Sequence, residues 1–201
     1  MMHNGRAMPL PMPPSKLPAV GTTIFTLMSR LAAEHGAINL SQGFPDFAPP
    51  PRLLERVAQH MAAGANQYAP MAGAASLREA IAQKVDALYG APYDVEGEIT
   101  VTAGATQAIY TAVAAFVRPG DEVIVFAPIY DSYVPAIELN GGRAVVATLR
   151  HPHYRPDWGE VAALITTRTR MIIINTPHNP SGAVWDAADL AALERLTRDT
   201  A

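Results

Sequence analysis

Between residues 98 and 198 short apolar runs alternate with segments of helical periodicity, and this rhythm constrains the chain more than any other feature. The runs are Glu98–Thr102, Glu122–Phe126, Ala144–Leu149 and Arg170–Asn175. Each is rich in Val, Ile or Thr and too short to be a buried helix. Helical patterns follow over 106–117, 130–140, 157–165 and 186–198, with Gly, Pro or Asn-rich turns between them. Runs that are apolar throughout, separated by helix-length crossovers, predict a largely parallel sheet covered by helices on both faces. Ligands of such sheets lie beyond the carboxyl ends of the strands. Loops 103–106, 127–133 and 175–182 are therefore where chemistry is to be sought.

The preceding part is helical in pattern. Ile24, Leu27, Met28 and Leu31 share a face of a segment from Thr23 to His35, with Gly36 as a stop. Pro51 suits a first helical position, and Leu53, Leu54, Val57, Ala58 and Met61 line one face up to Gly64. Ser76 and Glu79 have capping-box spacing, which predicts a helix with Leu77, Ile81, Val85 and Leu88 inward and Gly90 at its end. Asp157 and Glu160 repeat that spacing. Met1–Pro18, with five prolines and no apolar leader-like run, reads as a mobile arm and not a signal peptide.

Composition removes several classes of function. There are no cysteines, hence no disulfides and no thiolate metal site. A net charge of −3 without basic runs gives no reason to expect nucleic acid. No stretch of about 18 apolar residues suggests a membrane span, and a cytoplasmic protein is the default expectation. The histidines form no metal-ligand spacing, and no serine nucleophile elbow or Gly-x-Gly-x-x-Gly fingerprint is present.

Five segments can carry chemistry, and each also has a plain structural reading. Thr102-Ala103-Gly104-Ala105-Thr106-Gln107 joins a strand to a helix. Unpartnered amides at a helix start favour a phosphate, by roughly 0.3–1 kcal/mol from the dipole alone; the alternative is a tight turn with Thr106 as a cap. In Asn175–Gly182, Asn179 sits between prolines and can donate to a phenolate-like oxygen without titrating; the alternative is a turn made of breaker residues. Tyr130, in Pro128–Tyr133, can stack on a flat ligand or simply pack. Gly43, in Leu40–Phe47, allows a carboxylate close to the backbone, or marks a hinge loop pinned by Phe44 and Phe47. Tyr68, in Asn66–Gly73, offers a hydroxyl to an anion or anchors its loop.

In this order and spacing, over about residues 20 to 201, the five segments resemble the class I/II, fold-type I pyridoxal-phosphate-dependent aminotransferases. The nearest branch is that of the kynurenine, glutamine and methionine enzymes. The resemblance implies an α/β three-layer sandwich with a mostly parallel sheet. It also implies an N-terminal arm and small-domain segment over 1–46, and the first part of the cofactor-binding large domain over 47–201. It implies pyridoxal 5′-phosphate as cofactor, with Gly104, Ala105 and Thr106 at its phosphate, Tyr130 stacked on its ring and Asn179 at its 3′ oxygen. Gly43 and Asn179 would meet the substrate carboxylate. Tyr68 would reach the cofactor phosphate of the other subunit in a homodimer. The substrates implied are an amino acid and a 2-oxo acid; a cysteine-conjugate β-lyase and a non-catalytic fragment are the alternatives. One departure is plain. The only lysines are Lys16 and Lys84, and neither follows a Ser-x-Ser pattern, so the Schiff-base lysine of the family has no counterpart here. The chain ends at a predicted helix with no strand after it, which leads us to expect that the domain continues past residue 201.

Overall fold

The computed structural model describes residues 14–18, 20–43 and 45–198. They group into two compact units, one of residues 22–108 and one containing 109–198 with the short segment before residue 22, so the division falls within a helix. That grouping reflects local packing and does not test the expected boundary after residue 46.

The first unit is built from helices α1 (Ile24–Glu34), α2 (Pro51–Ala62), α3 (Ala75–Tyr89) and the start of α4 (Gly104–Phe116). Thr23 caps α1 through its side chain, which accepts from the Thr26 amide. Pro51 occupies the first turn of α2, as its fixed φ and missing N–H favour. The apolar stripe of α2 is real, yet Leu53, Leu54, Val57 and Met61 are all exposed. Helix α3 corrects two expectations. It starts at Ala75 after Ala74, so Ser76 lies inside the first turn and makes no capping box; the alanines are good enough helix formers to extend the start past it. Its inward face is centred on Arg78, which is buried, while Leu77 and Leu88 are exposed. The Arg78 guanidinium donates to the Val95 carbonyl at 2.5 Å and pairs with Glu96 at 3.3 Å. An anchored arginine with its aliphatic stem packed inward has turned the helix by about one residue.

The second unit holds the sheet: β1 (Glu122–Ala127), β2 (Arg143–Thr148) and β3 (Thr169–Ile172), in the order β2-β1-β3 and all parallel. Helices α5 (Tyr133–Leu139), α6 (Trp158–Leu164) and α7 (Ala187–Arg198) connect or follow them. Central β1 is buried on both sides. Val123 and Val125 face Val113 and Val117 near the end of α4 and Tyr133, Ala136 and Ile137 at α5. Ile124 and Phe126 face the opposite way, with Val145, Ala147, Val161 and Trp185. Alternation along one strand thus produces two cores and three layers, the expected α/β sandwich. The expected strand at 98–102 does not form among the described residues. It makes a backbone bond from Val101 N to the Ala72 carbonyl at 2.9 Å, but pairs with no strand. An apolar extended run without a neighbour to complete a ladder remains a loop.

The amino end of the sheet is closed by charge. Glu122 is buried and accepts from Arg143 at 2.7 Å, from Arg168 at 2.6 and 2.9 Å, and from the Thr166 hydroxyl at 2.7 Å. Arg170 reaches the neighbouring Asp121 at 3.3 Å from a register shift in the β1–β3 ladder. These bonds, with Arg143 first, lower the Glu122 pKa from 4.5 to about 2, against the opposing pull of burial. The folded pKa lies below the unfolded one, so the stabilisation is complete above pH 4.5 and fades as pH falls toward 2. Melting temperature measured from pH 7 down to pH 2 should fall along this limb in the wild type. Glu122→Gln should start lower at pH 7 and show a shallower acid limb. Parallel limbs in the two proteins would refute the assignment.

Candidate active site

Two of the expected ligand-binding loops lie in the sheet unit and emerge from adjacent parallel strands. Tyr130 follows β1 and is half-buried, edge-to-face with buried Tyr133 at 5.6 Å between ring centres. Its carbonyl accepts from the Tyr133 amide at 3.1 Å, a turn that delays α5 to Tyr133 instead of Tyr130. Burial, and then Tyr130, push the Tyr133 hydroxyl above its usual range. Asn179 follows β3, with an exposed side chain and its amide held by the Asn175 side chain at 2.7 Å. Proline follows it directly, and Pro177 precedes it by two residues. The loop around Asn179 is tied internally by His178 N to Ala183 O at 2.8 Å and Trp185 N to Thr176 Oγ1 at 2.9 Å. It is therefore a fixed projection and not a slack connection.

The other expected residues belong to the helical unit. Gly104 opens α4 at φ +81°. A side chain there would meet nothing within 4 Å, so glycine answers a backbone need and leaves the space before the helix open. The Gln107 side chain accepts from the Ala103 amide one step earlier, at 2.5 Å. The open approach at Gly104 leaves the start of α4 clear on that side. Tyr68 is fully exposed. Its loop is braced by Gly73, whose φ is +103° and where an added Cβ would lie 2.7 Å from Val101 Cβ and Cγ2. The same contact carries the Ala72–Val101 backbone bond, so the Tyr68 loop and the lead into the Gly104 turn are packed on each other. Gly43 is exposed and open on all sides. Asn39 steadies its loop, donating to Ser29 at 2.9 Å and accepting from the Ser41 amide at 3.0 Å. Phe44 lies outside the described residues, and Phe47 is exposed, so it does not pin the loop.

The sequence drew no role for His178, yet it is buried, with Nδ1 2.8 Å from the Ser181 hydroxyl. A histidine inside a Pro-rich turn gives no periodic signal of burial, so only the folded loop reveals it. Neither lysine is buried, and no group of three or more metal-ligating side chains exists among the described residues. The larger concavity, about 970 Å³, follows the edge strand β3 and is lined by Ile165, Thr169, Met171 and Leu193. It contains none of the expected site residues and follows a strand edge open to further pairing.

Residues 35–200 match the family Aminotransferase class I and II. The chain belongs to that family. It is 63% identical over 181 residues to the methionine aminotransferase of Escherichia coli K12, covering 90% of this chain and 47% of that protein. The crystal structure of Escherichia coli YbdL, reported with a methionine aminotransferase function, superposes with a TM-score of 0.90 at 61% identity, over 93% of this chain and 49% of that one. The Mycobacterium tuberculosis N-succinyldiaminopimelate aminotransferase superposes with a TM-score of 0.87 at 43% identity, over 92% of this chain and 49% of that one. The chain thus spans about half the length of the relatives it matches.

The two site glycines make a differential prediction. Gly73→Ala combines positive φ with a clash against the Val101 side chain and should cost roughly 2–5 kcal/mol. Gly104→Ala meets open space and should cost about 1–3 kcal/mol, from φ alone. Urea midpoints of the two variants of the natural-length protein would decide it, and equal losses would show that the Val101 contact is unimportant.

Proposed function

We propose that this chain forms part of a pyridoxal 5′-phosphate-dependent aminotransferase that moves the amino group of an L-amino acid to a 2-oxo acid. The donor is of the methionine, glutamine or aromatic type, with methionine foremost. The observation that carries this reading is the 63% identity to a methionine aminotransferase over nine-tenths of the chain.

The residues fit such a cofactor in kind. The start of α4 offers amides, the dipole and the Thr106 hydroxyl to a phosphate, with Gly104 keeping the approach clear. Tyr130 offers a half-buried aromatic face at the carboxyl end of β1. Asn179 offers a neutral amide beyond the adjacent strand. When bound, the cofactor's protonated pyridine ring takes up the electron pair released when the substrate Cα–H bond breaks. The side chains do the positioning. Tyr130 would keep water off one ring face, and the Asn179 amide would donate to a ring oxygen and to the substrate carboxylate. On the family resemblance, the Gly43 backbone N–H would also serve a substrate carboxylate. Tyr68, wholly exposed in its own chain, donates its hydroxyl to the phosphate held by a second copy. The amine that carries the cofactor, and the base that moves the Cα proton, are supplied from outside these 201 residues, since Lys16 and Lys84 match no such position.

The natural-length protein, supplied with pyridoxal phosphate, should convert a 2-oxo acid to its amino acid at the expense of methionine. Asn179→Ala should lower kcat/KM by about tenfold or more through the loss of a charge-assisted hydrogen bond. The 201-residue chain alone should show no turnover above buffer. No amino transfer from methionine, glutamine or aromatic donors by the natural-length protein would sink the proposal, and turnover by the short chain would sink its division of labour.

A further inference from the structure

The chain leaves the sheet after Ile173, whose amide still donates to the Ile124 carbonyl of β1 at 2.9 Å. Two residues on, the half-buried Asn175 reaches along the loop, and its Oδ1 accepts from the Asn179 backbone amide at 2.7 Å. The partner is an N–H, so the oxygen of the Asn175 side chain is the end that serves it. That N–H belongs to the peptide unit joining His178 to Asn179. The other polar end of the same unit, the His178 carbonyl, accepts from Gly182 N at 2.6 Å. A peptide unit is rigid and planar, so bonds at its two opposite ends fix its orientation.

The surrounding units are bonded differently. Pro177 and Pro180 carry no N–H. His178 N donates to Ala183 O at 2.8 Å, and that bond stays inside the loop. Thr176 Oγ1 accepts from Trp185 N at 2.9 Å, which ties the returning leg of the loop to its start. Asn175 supplies the link from the tip, at Asn179, back to the strand stem. The Asn179 side chain is exposed, so packing does not direct it. Its direction starts from the backbone that carries it, and that backbone is what Asn175 holds.

Resting on the functional reading above, we propose that Asn175 is a positioning residue: its side-chain oxygen pins the His178–Asn179 peptide unit to the strand stem and so sets the point from which the Asn179 side chain reaches a bound ligand. A residue that merely ended the strand would be replaceable by another of similar bulk. A positioning residue is replaceable only by one that keeps an acceptor at the same reach. Aspartate does so, whereas leucine matches the bulk and accepts nothing. The two roles also differ in what they act through. Loss of a strand end weakens the loop whatever stands at residue 179, whereas loss of positioning matters only while the Asn179 side chain is there to be positioned.

The test uses the natural-length protein, with two independent readouts. The first is amide hydrogen exchange by NMR without cofactor. Exchange at the Asn179 N–H should be slow in the wild type and in Asn175→Asp, and about three- to tenfold faster in Asn175→Leu. Val123, Ile124 and Val125 report on the sheet in the same spectra, and Asn175→Ala replaces the leucine variant if their exchange rises. Equal exchange at Asn179 in the wild type and Asn175→Leu, or equal loss in Asn175→Asp and Asn175→Leu, overturns the proposal. The second is pyridoxal phosphate titrated against tryptophan fluorescence. Binding should weaken about three- to tenfold in Asn175→Leu and about tenfold or more in Asn179→Ala. Added to Asn179→Ala, Asn175→Leu should cost less than about twofold more. The same loss in both backgrounds, or wild-type affinity in Asn175→Leu while Asn179→Ala is weakened, overturns the proposal with the functional reading intact. No binding by the wild type removes the functional reading, and the exchange rates then still decide whether Asn175 holds the loop.

Discussion

Everything in the sheet unit depends on β1 being buried from both sides. Val123, Ile124 and Val125 have no exposed surface, and Phe126 has almost none. A strand in that position has no solvated face, so each neighbouring residue must meet a different layer. The demand is met by α4 and α5 on one side and α6, Trp185 and α7 on the other. Parallel pairing on both edges follows, because the crossovers that provide the covering helices also return the chain to the same end. The consequence for function is directional: all three strands deliver their following loops to one rim.

The two rims are built from different chemistry. At the amino end, Glu122 sits between Arg143 and Arg168, with Asp121 and Arg170 beside it. Three arginines meet two carboxylates there, and each guanidinium is engaged by one of them. At the carboxyl end, the Asn179 loop contributes neutral groups, and prolines fix the backbone. The Asn179 amide is held by the Asn175 side chain, and the His178 ring by the Ser181 hydroxyl. Hydrogen-bonding groups already fixed in direction suit a polar ligand, because little has to be reorganised when it arrives.

Much of this was legible in the sequence, for identifiable reasons. The three realised strands were visible because apolar runs bounded by turn residues have few other uses. Asp157 was visible as a cap, and its side chain does accept from the amides of Gly159 and Glu160, although Glu160 spends its own carboxylate on Arg150. Ser76 failed because cap spacing says nothing about alanines upstream that can start the helix earlier. The run at 98–102 failed because strand formation needs a partner that no local pattern encodes. The orientation of α3 failed because apolar spacing alone set the expected inward face, whereas Arg78 is held by Val95 and Glu96, 17 and 18 residues further on. The expected ligand loops were found by position, at strand ends; the ring that ties one of them down was not, since burial of a single histidine in a turn leaves no periodic trace.

Gly73 shows how tightly the helical unit links two loops that the sequence treats as separate. Val101 touches the space where its side chain would be, and the Ala72 carbonyl takes the Val101 amide. Any shift of the segment leading to Gly104 is therefore transmitted to the loop that bears Tyr68, through van der Waals contact and one backbone bond rather than through charge. Arg78 braces the same region from the other side by holding Val95. Packing the loop on the Val101 side chain holds its base in place without burying the Tyr68 ring. The full exposure of Tyr68 and the crowding at Gly73 are thus two parts of one arrangement: a rigid base under a free side chain.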